Sequence, residues 1–509
     1  MNIEIKGTTN RNNRLAVVAA FVLYVILIGV GSYVHEPWRD ESHAWLIVQM
    51  SRSVKDLFLN ITYEGHPSLW FLLLYGVKIL GGGWVAVQFL HGLLAATAVY
   101  LMLRYAPFTF EVRILLMFSY FFSYEYAVIA RDYAVGVLLL FLLGSLFSLR
   151  HQKIGHILWC SIVMVLCQTN VFALLVGCGL YGTIWLELLF YRFTQLRSHW
   201  PRYAIGLTLV LIGFIVAVAD ILTPPDGGYT QPTHGPLSIR GAIFCIRTLW
   251  SALMPFPATF IQFWNSNLLD QIPIPLLRSG LRICLLLALL KWLVLPLFRS
   301  RLALIGWITS CVAIEYIFFA QYFGSLRHHG HLFLSLLMLL WVQPYLPDFR
   351  PYAARFEWSL PYRLWLLVLG IQVLTTIVAY RADIWYPFSM NQLTAQYIQG
   401  RPIQRWFRVG YQDYSAEGVA TYLANNRMYY PESGEHNGFI RWTTKRHVMS
   451  LRQVLDSVAH HSREAPALLV LNRPVVADSA RLFRLTPIKA FTGSIVADEQ
   501  YWLYKYYPK

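Results

Sequence analysis

Apolar segments of about twenty residues, repeated along the chain, limit its possible folds more than any other feature. As a helix, each segment can cross the hydrocarbon core of a bilayer, which is roughly 30 Å thick. The predicted crossings lie near 15–34, 84–103, 112–126, 132–149, 155–170, 171–191, 203–222, 279–298, 302–323, 330–346 and 361–380. The sequence therefore predicts a polytopic α-helical membrane protein with about eleven transmembrane helices.

The distribution of charge supports this prediction and gives an orientation. Only 13% of the residues are charged, roughly half the share of a soluble protein, and the formal net charge is +16. The basic residues stand in short loops between apolar segments and form no stripe, so we expect lipid-headgroup contacts and no nucleic-acid partner. With a cytoplasmic N-terminus, the cytoplasmic loops hold Arg104, Arg150, Arg202, Arg299 and Arg350, as the positive-inside rule requires.

One apolar stretch, PSLWFLLLYGVKILGGGW at 67–84, is not counted as a crossing. It is short, opens on Pro67 at a predicted first helical position and ends in a glycine run. We predict an interfacial or re-entrant helix in the first outside loop, residues 35–83. Counting it as a crossing would place the basic loops outside.

Composition changes near residue 383, which predicts two domains. Residues 1–382 are predicted to form the transmembrane catalytic domain, and 383–509 a small extracytoplasmic α/β domain. In the second domain YSAEGVATYLANN and SLRQVLDSVAHHSR have helical periodicity, while ALLVLNRP and QYWLYKYY have the composition of strands. The segment 223–278 is predicted to be a long outside loop.

The first outside loop begins with HEPWRDESHAW, which holds the adjacent carboxylates Asp40 and Glu41. A carboxylate at a membrane surface can deprotonate an acceptor hydroxyl group. Alternatively, Asp40 caps the helix that follows it. Glu64 and His66 stand later in the loop and either cap the next helix or bind acceptor, phosphate or a divalent cation.

Two basic motifs are predicted on the same outside face. Arg131, with Asp132 beside it, stands between two apolar segments, and SLRHHGH holds Arg327, His328, His329 and His331. Arg131 is either a membrane-surface anchor paired with Asp132 or a ligand for a lipid-linked phosphate, which suits the planar guanidinium group. The histidine spacing is not a standard zinc pattern, and phosphate binding is the simpler interpretation.

In order and spacing, these motifs resemble the GT-C class of integral-membrane glycosyltransferases, in particular the protein O-mannosyltransferase and lipid A aminoarabinose transferase group. The shared features are the acidic pair Asp40-Glu41, then Gly65-His66-Pro67, then Arg131-Asp132-Tyr133. The resemblance covers about residues 14–150 well and is looser beyond them. It implies Asp40 as catalytic base, Glu41 as helper, and Arg131, Tyr133, Arg327, His328 and His329 as substrate-binding residues.

The resemblance also implies a polyprenyl-phosphate-linked sugar donor, and the chain has no glycine-rich nucleotide loop or DxD sequence. The acceptor, a lipid, glycan or protein hydroxyl, stays open, as does a divalent metal; no cofactor is assigned. A polysaccharide polymerase or ligase and a flippase of lipid-linked sugars are the alternatives. We expect a multi-pass protein of the bacterial plasma membrane with an extracytoplasmic C-terminal domain.

Overall fold

The computed structural model describes residues 11–228, 239–350, 359–462 and 466–508. Most of them are helical. The helices are α1 (Arg11–Val34), α2 (Arg39–Met50), α3 (Val54–Ile61), α4 (Leu69–Ile79), α5 (Trp84–Tyr105), α6 (Phe110–Met117), α7 (Tyr133–Ser145), α8 (Lys153–Leu166), α9 (Val171–Tyr191), α10 (Phe193–Ser198), α11 (Trp200–Ile221), α12 (Ile239–Leu253), α13 (Pro275–Val294), α14 (Arg301–Ala320), α15 (Leu326–Val342), α16 (Leu360–Trp385), α17 (Asn391–Gln399), α18 (Asp413–Ala420), α19 (Leu451–Ser462) and α20 (Ala477–Leu482).

Seven helices among the described residues are long and apolar enough to cross a membrane: α1, α5, α9, α11, α13, α14 and α16. Their surfaces carry exposed large apolar side chains, such as Leu23 of α1 and Phe214 of α11. Lipid chains are the environment that suits such surfaces. The predicted fold class, a multi-pass helical membrane protein with a small C-terminal α/β element, is confirmed.

Three of the other four predicted crossings are shorter helices than the sequence indicated, and the fourth, α15, has the predicted length but begins four residues earlier. The segment predicted at 112–126 consists of α6, eight residues long, and a π-helical turn at Phe121–Glu125. Helices α7, α8 and α15 have 13, 14 and 17 residues. The apolar runs are long, but turns at their ends use some of their residues, so hydropathy alone overstates helix length.

The chain divides into two compact units. The helical unit consists of the described residues within 1–33, 88–219 and 231–380, and the loop–tail unit of those within 34–87, 220–230 and 381–508. Central to the helical unit is α15, in which nearly every side chain is buried and which packs against α7, α9, α12 and α14.

The loop–tail unit contains a six-stranded sheet. Its strands are β1 (Phe407–Tyr411), β2 (Met428–Tyr430), β3 (Glu435–Asn437), β4 (Ala467–Leu471), β5 (Thr486–Phe491) and β6 (Tyr501–Tyr506), in the order β3-β2-β1-β4-β6-β5. Strand β1 pairs in parallel with β2 and β4, and the outer pairs are antiparallel. Strand β4, sequence ALLVL, is buried throughout because α18 and α19 contribute to cores on opposite faces of the sheet.

The first loop belongs to this same unit. Helix α4 begins at Leu69, after the N-cap Ser68, so Pro67 precedes the helix and is not its first residue as predicted. With 11 residues, α4 is about 16 Å long and too short to cross a bilayer. Its Lys78 donates to the carbonyls of Val48 and Gln49 (2.9 and 3.0 Å) and so caps the C-terminus of α2.

Candidate active site

Asp40 lies in the first turn of α2 and is not its cap. The helix begins at Arg39 after the N-cap Trp38, and Glu41 accepts a hydrogen bond from the Trp38 backbone N–H at 3.2 Å. The capping role that the sequence suggested for Asp40 therefore belongs to Glu41, because the helix begins two residues earlier than expected. The Asp40 side chain is 28% exposed, whereas that of Glu41 is fully buried. Of the adjacent pair, Asp40 is thus the exposed carboxylate and Glu41 the buried one.

A buried histidine holds Glu41 in place. His35 donates from Nε2 to Glu41 (3.1 Å) and from Nδ1 to Asp383 (2.8 Å), and its ring packs edge-on against Phe388. Burial alone would lower the pKa of His35, but Asp383 and Glu41 outweigh it and raise the pKa to about 10. His35 is therefore a cation that ties the first loop to the C-terminal end of α16.

A second buried histidine repeats the arrangement further along α2. His43 Nε2 donates to Glu64 at 2.8 Å, and its Nδ1 lies 2.9 Å from Glu417 of α18. Burial alone would lower the pKa of His43, but Glu417 and Glu64 hold it well above its usual value. Glu64 thus contacts α2 through His43, and its role in binding substrate stays a prediction.

Arg39 attaches the first turn of α2 to the C-terminal segment. Its guanidinium pairs with Asp498 and lies over the ring of Tyr414, 5.3 Å from the centroid. Its backbone N–H donates to Glu499 at 3.1 Å. Burial raises the pKa of the Glu499 carboxyl to about 8. The residue before Asp40 is thus fixed through both its backbone and its side chain.

The remaining first-loop candidate, His66, is half-buried just ahead of α4. Among the described residues, no group of three or more His, Cys, Asp or Glu side chains has an arrangement that could hold a metal ion.

In the helical unit, the structure brings together the two motifs that were predicted to bind phosphate. Tyr133, the first residue of α7, and His328, in the first turn of α15, share a hydrogen bond of 2.9 Å. Arg131 Nε lies 3.7 Å from Asp132, and both side chains are buried. Motifs about 195 residues apart in sequence therefore form one polar cluster.

Arg327 belongs to this cluster. Its guanidinium carbon is 5.5 Å from the ring centroid of Trp264, whose Nε1 donates to Glu125 at 3.0 Å. The Arg327 carbonyl accepts a hydrogen bond from Tyr126 at 2.7 Å. With Arg131, the cluster holds two arginines, which suit an anionic group. His329 instead lines a cavity between α12 and α15.

Several residues of these networks were not predicted from the sequence. In the loop–tail unit they are His35, Arg39, His43, Asp383, Glu417 and Glu499. Two of them could have been found from the sequence, namely His35 and Asp383. They closely follow the first and last apolar segments of a chain with few charges, where an ionisable residue indicates a specific role. Glu125 could have been found in the same way, since it is a carboxylate within a predicted crossing. Glu417 and Glu499 lie in an ordinary polar tail that gives no such signal.

Comparison with known proteins gave a similar solved structure. No family model and no curated protein matched the sequence. Among solved structures, the crystal structure of ArnT from Cupriavidus metallidurans bound to undecaprenyl phosphate is similar over 96% of this chain and 97% of that one, with 14% sequence identity and a TM-score of 0.48.

Proposed function

We propose that this protein is a membrane glycosyltransferase that moves a sugar from a polyprenyl-phosphate-linked donor to a hydroxyl group of a lipid, glycan or protein acceptor on the outer face of the membrane. The observation that carries the proposal is the exposure of the Asp40 side chain and its position between two fixed residues. Asp40 is an accessible carboxylate in a helical turn whose neighbours Arg39 and Glu41 are fixed by partners. Such pre-organisation is what a general base requires.

In the proposed reaction, the acceptor oxygen attacks the anomeric carbon of the donor sugar. The bond from that carbon to the phosphate oxygen breaks as the new glycosidic bond forms, and the hydroxyl proton passes to Asp40. Polyprenyl phosphate leaves as an anion, so its charge has to be stabilised and not protonated. Arg131 and Arg327 bind this phosphate, and Tyr133 with His328 holds the two motifs together.

The resemblance of the motifs to GT-C transferases supports the same reaction. A flippase has no need of a base, and a polymerase or ligase differs in the acceptor that it uses. These alternatives are separated by what the purified protein does with a labelled donor.

The test is transfer by the purified protein in nanodiscs, with a panel of radiolabelled polyprenyl-phosphate sugars and envelope extracts as acceptors. Asp40→Asn is expected to lower transfer by about 10²–10⁴-fold, the range for loss of a general base, with unchanged binding of undecaprenyl phosphate. Asp56→Asn, in the same loop, is the matched control and should transfer normally. Normal transfer by Asp40→Asn would place the base elsewhere, and donor translocation without transfer would favour the flippase.

The phosphate assignment has its own test. Arg131→Lys and Arg327→Lys keep the charge but lose the bidentate donor geometry, so each is expected to weaken binding of undecaprenyl phosphate about tenfold. Arg363→Lys, an exposed position at the start of α16, is the control. Unchanged affinity in both variants, with an unchanged melting temperature, would remove these arginines from the phosphate site.

A further inference from the structure

A cavity of about 470 Å³ lies in the helical unit beside the SLRHHGH motif. This volume is within the range of about 300–1,000 Å³ that is usual for small-molecule sites. Its walls come from α12, from the segment 265–270 and from the turn that leads into α15. The lining includes Phe244, Arg247, Asp270, Phe323, Gly324 and His329.

The charged groups of the cavity balance each other. Arg247 lies 3.4 Å from Asp270, and Asp270 also accepts a hydrogen bond from Arg282 at 2.9 Å. Of these three residues, only Arg247 and Asp270 line the cavity, so its lining carries one positive and one negative charge close together. The lining therefore suits a polar ligand without net charge.

His329 requires that such a ligand donate a hydrogen bond to it. It is only 7% exposed, and its Nε2 donates to the Phe323 carbonyl at 3.3 Å. Its Nδ1 is then an acceptor, and it has no hydrogen-bond partner among the described residues. A buried acceptor without a partner is costly, so a ligand that offers an O–H or N–H group gains binding energy here.

The aromatic part of the wall is accessible. Phe323 is 42% exposed and packs edge-on against Phe244, with ring centroids 5.0 Å apart. Gly324 has a φ of +68°, and a Cβ there would come within 2.7 Å of the Phe318 ring, so only glycine allows this turn. A flat apolar surface next to hydrogen-bonding groups suits a ligand with one apolar face and a rim of hydroxyl groups.

We propose that this cavity binds a sugar ring, with His329 Nδ1 accepting a hydrogen bond from a sugar hydroxyl and Phe323 covering the apolar face of the ring. The inference rests on the proposed function, since the sugar is either the glycosyl group of the donor or a residue of the acceptor. The cavity adjoins the proposed phosphate cluster, because the Leu326 N–H donates to Asn265 at 2.9 Å and Trp264 lies against Arg327.

The experiment measures binding to the full chain in nanodiscs. Undecaprenyl phosphate is compared with its glucose, galactose, mannose and arabinose esters, for the wild type, His329→Gln and Phe323→Leu. Glutamine can keep the donor to the Phe323 carbonyl but places no acceptor at the Nδ1 position. Phe323→Tyr keeps the ring, and Phe298→Leu is a control at an exposed phenylalanine outside the cavity.

If the cavity holds the donor sugar, the wild type prefers one sugar ester over the bare lipid by about tenfold or more. His329→Gln and Phe323→Leu lose most of that preference and bind the bare lipid normally, while Phe323→Tyr and Phe298→Leu keep it. If the cavity holds an acceptor sugar, donor affinity stays unchanged and the KM for acceptor rises in the same two variants. Both results support the proposal.

Unchanged donor preference together with unchanged acceptor KM in His329→Gln and Phe323→Leu would overturn it. Failure of the proposed function has a different signature, namely no binding of any polyprenyl lipid and no transfer by the wild type. In that event, saturation-transfer NMR with the four free monosaccharides tests whether the cavity binds a sugar. A saturation-transfer signal that is present in the wild type and disappears in His329→Gln supports a sugar site, and the absence of any signal in the wild type refutes it.

Discussion

At the scale of single residues, the first loop is held in place by ion pairs between buried histidines and carboxylates. His35 and His43 each lie between two carboxylates, and all of these groups are buried. Removing one partner from such a buried ion pair costs about 3–5 kcal/mol, because the others stay buried without compensation. The ion pairs of His35 and His43 therefore determine both the stability of α2 and the position of the turn that carries Asp40.

The raised pKa of His35 predicts how stability changes with pH. The folded state holds a proton that the unfolded chain releases near pH 6.5, so the stabilisation is complete below that pH and is lost as the pH rises toward 10. The carboxyls of Glu36 and Glu499, with pKa values raised by burial to about 7 and 8, add a decrease of the same sign between pH 4.5 and 8.

Melting temperatures of the purified protein between pH 6 and 10 check this. The wild type is expected to lose stability across the whole range, whereas His35→Asn starts lower and is nearly flat between pH 8 and 10. His447→Asn, at an exposed histidine of the same unit, should follow the wild type. A parallel decline in His35→Asn would show that other groups cause the pH dependence.

At the scale of elements, α2 is fixed to the C-terminal segment through its first residue. Arg39→Ala removes the pair with Asp498 and the contact with Tyr414. We expect transfer to fall at least tenfold with unchanged binding of undecaprenyl phosphate. The reason is that displacement of Asp40, the proposed base, slows the reaction without changing the affinity for the lipid. The measurement is kcat beside lipid affinity.

The matched control for Arg39→Ala is Arg401→Ala, which also removes an arginine stacked on a tyrosine of the same unit. It should retain transfer. A charge exchange, Arg39→Asp with Asp498→Arg, is expected to restore part of the activity. Full activity of Arg39→Ala would show that the turn is positioned without this contact.

Helices α9 and α14 of the helical unit approach closely through small residues. A Cβ at Gly179 would come within 1.9 Å of Ser310 Oγ and 3.0 Å of the Gly306 carbonyl. Gly179→Val is therefore expected to lower the melting temperature by several degrees, through strain of about 1–3 kcal/mol. Gly182→Val, on the same helix with open space around its Cα, should have little effect. Equal melting temperatures would contradict the close packing.

At the scale of the whole molecule, the first loop and the tail form one compact unit although nearly the whole helical unit separates them in sequence. Helix α2 packs against α18, and Asn60 accepts a hydrogen bond from Arg441 at 3.2 Å. A shortened chain ending at residue 382 is expected to lose hydrogen-exchange protection in α2 and keep it in α9. Retained protection of α2 would show that the loop folds without the tail.

The local features of this protein were predictable because they depend on neighbouring residues. Seven apolar runs became long helices, and the tail segments with helical periodicity or strand composition became α18, α19, β4 and β6. Patterns of this kind bury a face or cross a bilayer wherever they occur in a chain. The same locality explains the errors, since the start of α2 and the lengths of α7 and α8 depend on caps and turns that hydropathy does not report.

The candidate site shows where prediction from sequence ends. The motifs holding Asp40, Arg131 and Arg327 were recognisable from residue type and order. The partners of His35 and His43, by contrast, include Asp383 and Glu417, which lie far along the chain, and Tyr133 meets His328 across 195 residues. By itself the sequence determined the membrane helices, the tail elements and the reactive residue types. Only the tertiary structure decided which carboxylate is accessible and which are buried, because burial depends on chain segments that meet only after folding.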